Sequence, residues 1–386
     1  MDVRTSGGSG KADLRIVHVV GAMDRAGTET MIMNLYRSID RVRVQFDFLV
    51  HEDRLCDYDE EICDLGGAIR RIPRFTGVNL AGYRKASREA LARFADDCIV
   101  HGHIGSCAPI YLSEAKRMGR ATVAHSHAQH FPLSPSQVAF RIASYPTRFI
   151  ADEFLACSRQ AGLDRFGSEV VEGSHFHVLN NGIQVDKYAC TNEEHERAKA
   201  SLGMGEGPIV GHVGRLTEIK NHDYLFDVFQ KMLLHSPHAH LLLYGRGEDE
   251  DRLRKEVEDK GLSERIHFCG LTDNVPLALK AMDVMIFPSF KEGLPVTLVE
   301  AQATGLPCVI SSGVPEAAVL GDSVRRMPLS DGSDAWAAAA FRLMDEACDR
   351  SVGVDTVRGA GFDVATSADW LTGFYRELAE RTARFV

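Results

Sequence analysis

The sequence predicts an α/β protein of two doubly wound domains, each a parallel sheet with helices on both faces, meeting at a central cleft. Three observations predict it. Short apolar, β-branched runs alternate with helical patterns, as in parallel sheets covered on both sides. These runs fall into two series of about six, parted by the polar, charged stretch ACTNEEHERAKASLGMGEGP. The length of 386 residues, 45% hydrophobic and 25% charged, suits two soluble domains of ordinary size.

The first series reads RIVHVV (15–20), FDFLV (46–50), CIVHGH (98–103), ATVAHS (121–126), EFLACS (153–158) and FHVLNNG (176–182). The second reads PIVGHVGR (208–215), AHLLLYG (239–245), IHFCG (266–270), VMIFPS (284–289), PCVISS (307–312) and SVRRMP (323–328). The domains expected from them span residues 13–185 and 186–366, after a flexible tail of residues 1–12 that lacks the apolar core of a signal peptide. The terminal segment TSADWLTGFYRELAERTARF reads as an amphipathic helix with Trp370, Phe374, Leu378 and Phe385 on its apolar side. There is no short repeat, and no low-complexity tract beyond the tail.

A formal net charge of -10 argues against a general nucleic-acid binder, while a local basic patch would leave a lipid surface open. Nine scattered cysteines, never spaced C-x-x-C, read as reduced thiols and hence a cytoplasmic protein. No apolar run approaches the ~20 residues needed to cross a bilayer. No stretch of the N-terminal half reads as a decisive basic amphipathic helix.

Ligands of doubly wound sheets bind at the carboxyl ends of strands, so motifs are sought there. In FKEGLPVTLVEAQATGLP (290–307), Glu292 and Glu300 stand eight positions apart in an apolar setting. Pro295 is placed to open a helix, where its missing N–H does no harm. Glu300 then lies about 12 Å along the axis from Glu292 at ~1.5 Å per residue, too far for two carboxyls sharing one proton. The spacing suits two acceptors gripping opposite ends of a long ligand, with the helix start between them offering free N–H groups to a phosphate. Taken alone, a helix cap and an ion pair explain the two carboxylates equally well.

In GHVGRLTEIKNHDYLFDVF (211–229), Arg215 ends a strand and Lys220 precedes a helix starting near Asn221. Two cations there can neutralise a diphosphate. In isolation solvated loop cations are the commoner explanation; beside the acidic pair and the two doubly wound halves, the diphosphate reading prevails. In GAMDRAGTETMIMNLYR (21–37), Gly27 precedes a helix and could let backbone approach a phosphate, or could simply serve a tight turn. The G-x-G-x-x-G dinucleotide fingerprint is missing. His101 and His103, then His125, His127 and His130, form H-x-H pairs at strand ends. A polar role in the ligand cleft is favoured over a metal, because no nearby cysteine or carboxylate completes a ligand set.

With these residues assembled, the chain resembles a glycosyltransferase of the GT-B fold, in the large retaining family 4, and most of all the branch that builds capsular and extracellular polysaccharides. The resemblance runs from about residue 14 to residue 380. Its specific part is VGRLTEIKNHDYL, LLYGRGEDEDRLR, IHFCGL and AMDVMIFPSFKEGLPVTLVEAQATGLPCVISS in that order. It implies two Rossmann-like domains, the first on the acceptor side and the second binding a nucleotide sugar, with the C-terminal helix 367–386 crossing back onto the first. Arg215 and Lys220 are implied to bind the donor diphosphate, Glu300 the ribose hydroxyls, and Glu292 the transferred sugar. His125 is implied to be the active-site histidine near that sugar. Gly27 matches the second glycine of the family's Gly-Gly turn, with Ala26 replacing the first. The donor's surroundings would include Leu271, Gly293, Leu294, Pro295 and Val296, and NNGIQVDKY corresponds to the interdomain hinge.

Two departures bear on specificity: Gly-Leu-Pro at 293–295 where the family often has Gly-Phe-Gly, and Ala26. Pro295 removes one backbone donor. The implied reaction moves a hexose-type sugar, with retention, from a nucleoside diphosphate sugar to a glycan or lipid-linked acceptor. Uridine is the expected base, no cofactor or metal is required, and peripheral attachment to the inner face of the membrane is compatible. The alternatives are a nucleotide-sugar-binding protein without turnover and a His-ligated metal-dependent hydrolase.

Overall fold

The apolar runs become strands because β-branched and aromatic side chains find apolar partners on both faces of a sheet. The structure, a computed structural model, describes residues 12–127, 135–346 and 349–384. Residues 1–11 of the expected tail, His130, Cys348 and Phe385 lie outside the described residues. The chain divides into two units, Met1–Gly182 with Val364–Val386, and Ile183–Asp363. The sequence places these divisions at 185/186 and 366/367, a few residues later in each case. Their observed places follow from one contact inside the second unit: Ile183 bridges in parallel to Asp363, and its N–H donates to the Phe362 carbonyl at 2.8 Å. The chain thus enters and leaves that unit side by side.

In the first unit the strands are β1 (Leu14–Val20), β2 (Val44–Val50), β3 (Ile69–Arg71), β4 (Ile99–Gly102), β5 (Thr122–Ser126), β6 (Glu153–Ala156) and β7 (Phe176–Val178). They form one parallel sheet in the order β3-β2-β1-β4-β5-β6-β7. Six apolar runs announce this sheet, and β3 is the seventh strand. It has only three residues, two of them arginine, and sits at the edge, so it leaves no apolar run to read.

Side chains alternate across β1. Leu14, Ile16 and Val20 join one core with the helices Gly27–Ser38 and Val364–Ala383, and Val17 and Val19 join the opposite core with Leu80–Leu91 and Ala108–Arg117. The terminal helix belongs to this unit through buried Leu371, Phe374, Tyr375 and Leu378. Trp370, expected on that face, is exposed at its margin and stacks on Phe374 at 5.2 Å; Leu371 and Tyr375 take the central places.

The second unit contains β8 (Ile209–Val213), β9 (His240–Tyr244), β10 (Ile266–Gly270), β11 (Val284–Phe287), β12 (Cys308–Ser311) and β13 (Val324–Met327). These also run parallel, in the order β10-β9-β8-β11-β12-β13. In each sheet the order reverses direction at one place, between β1 and β4 in the first and between β8 and β11 in the second. Such a reversal opens a crevice beyond the strand ends, because the loops on either side leave in opposite directions.

Among the described residues the eight cysteines are free; six are buried and Cys269 is exposed. No described helix is long and apolar enough to cross a membrane.

Candidate active site

The reversal between β8 and β11 brings Lys220 against Glu292, while Arg215 follows β8 and Glu300 lies in the helix after β11. The chain leaving β8 passes Arg215 and makes a short 3-10 turn, Glu218–Lys220. It then swings through Asn221, whose φ of 56° is the one positive value among the described non-glycine residues. Asparagine tolerates this left-handed conformation better than most residues. Its side-chain amide also donates to the Pro288 carbonyl at 3.2 Å, tying this loop to the end of β11. A second tie is the Phe290 N–H donating to the Ile219 carbonyl at 2.9 Å. The helix predicted near Asn221 runs His222–His235.

These ties fix Lys220. Its ammonium donates to Glu292 Oε1 at 2.6 Å and lies 4.7 Å from the centre of the Phe287 ring, so an ion pair and a cation–π contact hold the same head group. Both partners of the ion pair are largely buried. Glu292 is held in turn by its own N–H, which donates to the Gly313 carbonyl at 3.1 Å. Gly313 is needed there, because a Cβ would stand 2.3 Å from the Phe290 carbonyl. Arg215 is exposed and makes no ion pair or hydrogen bond with the described residues.

Glu300 lies inside the helix Val296–Ala303. Its Oε1 accepts from the Tyr188 hydroxyl at 2.6 Å. Burial pushes its carboxyl up to about 7, against the lowering effect of that hydroxyl. Pro295 is the N-cap and not the first helical residue, and no side chain caps this helix start. The two carboxylates therefore have separate partners, Lys220 and Tyr188, and do not share a proton. Of the other residues expected around a donor, Gly293 and Leu271 are exposed, Pro295 is buried, and Leu294 and Val296 rest against the core of this unit.

In the first unit, Gly27 opens the helix Gly27–Ser38 after β1, again with no side-chain cap. A Cβ there would meet nothing within 4 Å, so packing within the chain does not require glycine. The histidines converge where this sheet reverses. His18 of β1 is in register with His101 of β4, and His125 lies on the next strand, β5. His103 and His127 follow just beyond the strand ends. Hydrogen bonds link His18 Nδ1 with His103 Nε2 at 2.8 Å, His103 Nδ1 with His127 Nε2 at 2.7 Å, and His101 Nε2 with His125 Nδ1 at 3.2 Å. Burial, reinforced by neighbouring rings, pushes His101, His103 and His125 well below the ordinary imidazole value; His18 and His127 fall to about 3. All five are therefore neutral at physiological pH. Two triplets, His18–His101–His103 and His103–His125–His127, bring nitrogens within 4.8 Å of one another. Most of those nitrogens already bond to a neighbouring ring, so a metal would have to displace these bonds.

Sequence reasoning missed Tyr188, His18 and Tyr375. His18 did leave a signal: it is the one polar residue inside the apolar part of RIVHVV, at the strand where the sheet reverses.

Residues 207–346 match the family model described as Glycosyl transferases group 1. EpsF of Bacillus subtilis (strain 168), named as a glycosyltransferase, is 30% identical over 374 residues, covering 95% of this chain and 97% of its own. An Escherichia coli UDP-Gal:alpha-D-GlcNAc-diphosphoundecaprenol alpha-1,3-galactosyltransferase is 32% identical over 139 residues, 35% of this chain and 36% of that one. Among solved structures, Anabaena HepE in complex with UDP superposes with a TM-score of 0.75 at 17% identity, covering 94% of this chain and 100% of that chain. Two parallel-sheet α/β domains matching these structures define a protein of the GT-B fold. The chain belongs to the group 1 glycosyltransferases and is a glycosyltransferase.

Proposed function

We propose that the enzyme is a retaining family 4 transferase that moves a hexose-type sugar from a uridine diphosphate sugar to a hydroxyl of a glycan or lipid-linked acceptor in polysaccharide biosynthesis. The observation that carries this reading is the Lys220 ammonium, fixed between Glu292 and the Phe287 ring at the β8/β11 reversal. Arg215 and the uncapped start of Val296–Ala303 lie on the loops leaving the same two strands. An ammonium has three N–H donors, so Lys220 keeps two for phosphate oxygens while it holds Glu292. Arg215 adds a second cation with no competing partner among the described residues. Preorganised charge of this kind stabilises the departing diphosphate, and such stabilisation commonly contributes more to catalysis than any other single effect.

Glu300 takes the ribose hydroxyls and Glu292 the sugar hydroxyls, with Gly27 near the phosphate and His125 near the sugar, as the family resemblance assigns them. Both carboxylates are engaged in hydrogen bonds, which favours departure and attack on one face of the sugar over a covalent glycosyl intermediate. The two cations supply the charge a divalent metal would bring, so the reaction is metal-independent. The UDP complex of HepE supports uridine as the base, and the name of the E. coli relative supports a lipid-diphosphate acceptor.

A surface feature that the sequence does not announce fits such an acceptor. In the helix Pro135–Ser144 and the turn Tyr145–Phe149 that follows, Val138, Ile142, Tyr145 and Phe149 are all exposed, Ile142 and Phe149 at 70% and 72%. Their helical spacing sets them on one face, and Arg141 and Arg148 accompany them. An apolar stripe with arginines suits the surface of an anionic bilayer.

The reaction is tested by supplying UDP-hexoses with a lipid-diphosphate saccharide and following UDP release and anomeric configuration by NMR. The expected outcome is an axial-to-axial or equatorial-to-equatorial product, formed equally well in excess chelator. An inverted product, or activity abolished by chelator and restored by a divalent ion, contradicts the reading.

A further inference from the structure

The histidines of the first unit carry an order that fixes where their protons lie. Tyr375, on the terminal helix, is fully buried, and its hydroxyl lies 2.6 Å from His101 Nδ1. It has no other hydrogen-bond partner among the described residues. Either direction leaves one hydrogen without a partner at an end of the row, so the chemistry of the contact decides. A phenol O–H is a stronger donor than a neutral imidazole N–H, an imidazole nitrogen is a stronger acceptor than a phenol oxygen, and 2.6 Å suits a short O–H···N bond. The phenol therefore donates, and His101 Nδ1 is the bare nitrogen. A neutral imidazole carries one proton, so that of His101 sits on Nε2, 3.2 Å from His125 Nδ1. His125 Nδ1 accepts in turn, which sends the His125 proton to Nε2.

We propose that Tyr375 and His101 are positioning residues that lock His125 as its Nε2–H tautomer, so that His125 faces the transferred sugar as a hydrogen-bond donor to an oxygen and not as a base. A second observation points to a ligand at the same atom: His125 Nε2 is buried and without a partner among the described residues. A buried donor with no acceptor leaves room for a ligand oxygen to satisfy it. The neighbouring row, His18–His103–His127, provides the contrast. It has no phenol at its head, and both outer nitrogens, His18 Nε2 and His127 Nδ1, lack partners among the described residues, so nothing fixes its direction. The role toward sugar rests on the transferase reading above; the tautomer does not.

The test is a long-range 15N–1H correlation spectrum of the full chain with 15N-labelled histidine, free of donor, with His125 assigned by comparison with His125→Gln. His101 and His125 are each expected to carry hydrogen on Nε2. Tyr375→Phe removes the lead donor, so both rings should then populate both tautomers. Turnover should fall ~3- to 10-fold, the worth of one neutral hydrogen bond, with KM for the donor little changed. His101→Gln, whose amide N–H can replace the lost Nε2–H, should keep His125 protonated at Nε2. A wild-type His125 protonated at Nδ1, or a tautomer that Tyr375→Phe leaves unchanged, overturns the proposal. Because the spectrum needs neither donor nor turnover, this outcome is separable from that of the transferase reading.

Discussion

Lys220 and Arg215 are cations in different circumstances, and that difference separates catalysis from stability. Arg215 is exposed and unpaired among the described residues, so Arg215→Ala should leave the thermal melt nearly unchanged while lowering kcat/KM by ~100-fold or more. Lys220→Ala should cost at least as much activity. It should also lower stability by ~1–3 kcal/mol, because Glu292 is left largely buried without its partner. Activity that survives either substitution would contradict the assignment. Glu300 gives a pH signature. Its folded carboxyl titrates near 7, above the ordinary carboxylate range, so between those values the folded state holds a proton that the unfolded state has lost. Stability is therefore lost as pH rises through about 7, while binding of ribose hydroxyls by the carboxylate is gained. Glu300→Gln should stabilise the protein at pH 8 by roughly 1–2 kcal/mol, seen as a higher melting temperature, leave it little changed at pH 4, and weaken donor binding most at pH 8. Equal melts at pH 8 would contradict this. Lys220, Glu292 and Glu300 were legible because each sits in a contiguous stretch at a strand end. Tyr188 and Tyr375 were not, because their partners lie 112 and 274 residues away and only the folded sheets bring them together.

At the scale of elements, the strands were legible wherever both faces are apolar. The edge strand β3 was not, since a three-residue edge strand with one buried isoleucine and two half-buried arginines leaves no apolar pattern. The terminal helix shows a finer limit: its apolar residues were evident, but Trp370 and Tyr375 could not be ranked without the surface they meet. Tyr375 went inward, where its hydroxyl finds His101, and Trp370 stayed at the margin. The stripe Val138, Ile142, Tyr145 and Phe149 escaped notice because it crosses from a helix into a 3-10 turn at Pro146. The membrane contact proposed for it has a direct test. Ile142→Asp with Phe149→Asp should abolish co-sedimentation with anionic vesicles, yet leave transfer to a short, soluble acceptor unchanged. Undiminished sedimentation would remove the stripe from the account.

Over the whole molecule, two sheets each reverse once, and the residues singled out for chemistry cluster at those two reversals: histidines beside β1 and β4, cations and carboxylates beside β8 and β11. The two-domain plan was legible in the alternating runs, whereas the division at Ile183 and Asp363 depended on a backbone bridge with no side-chain signature. The ligand chemistry proposed for the second unit depends on one property, a fixed ammonium with donors to spare on the same loop as a guanidinium that has no partner among the described residues. Calorimetric titration of the full chain with uridine diphosphate, for wild type, Lys220→Ala and Arg215→Ala, tests this most directly. The account predicts saturable binding by the wild type, weakened about tenfold or more by either substitution, in keeping with the loss of a charge-assisted contact to phosphate. Equal affinity in all three proteins would contradict it.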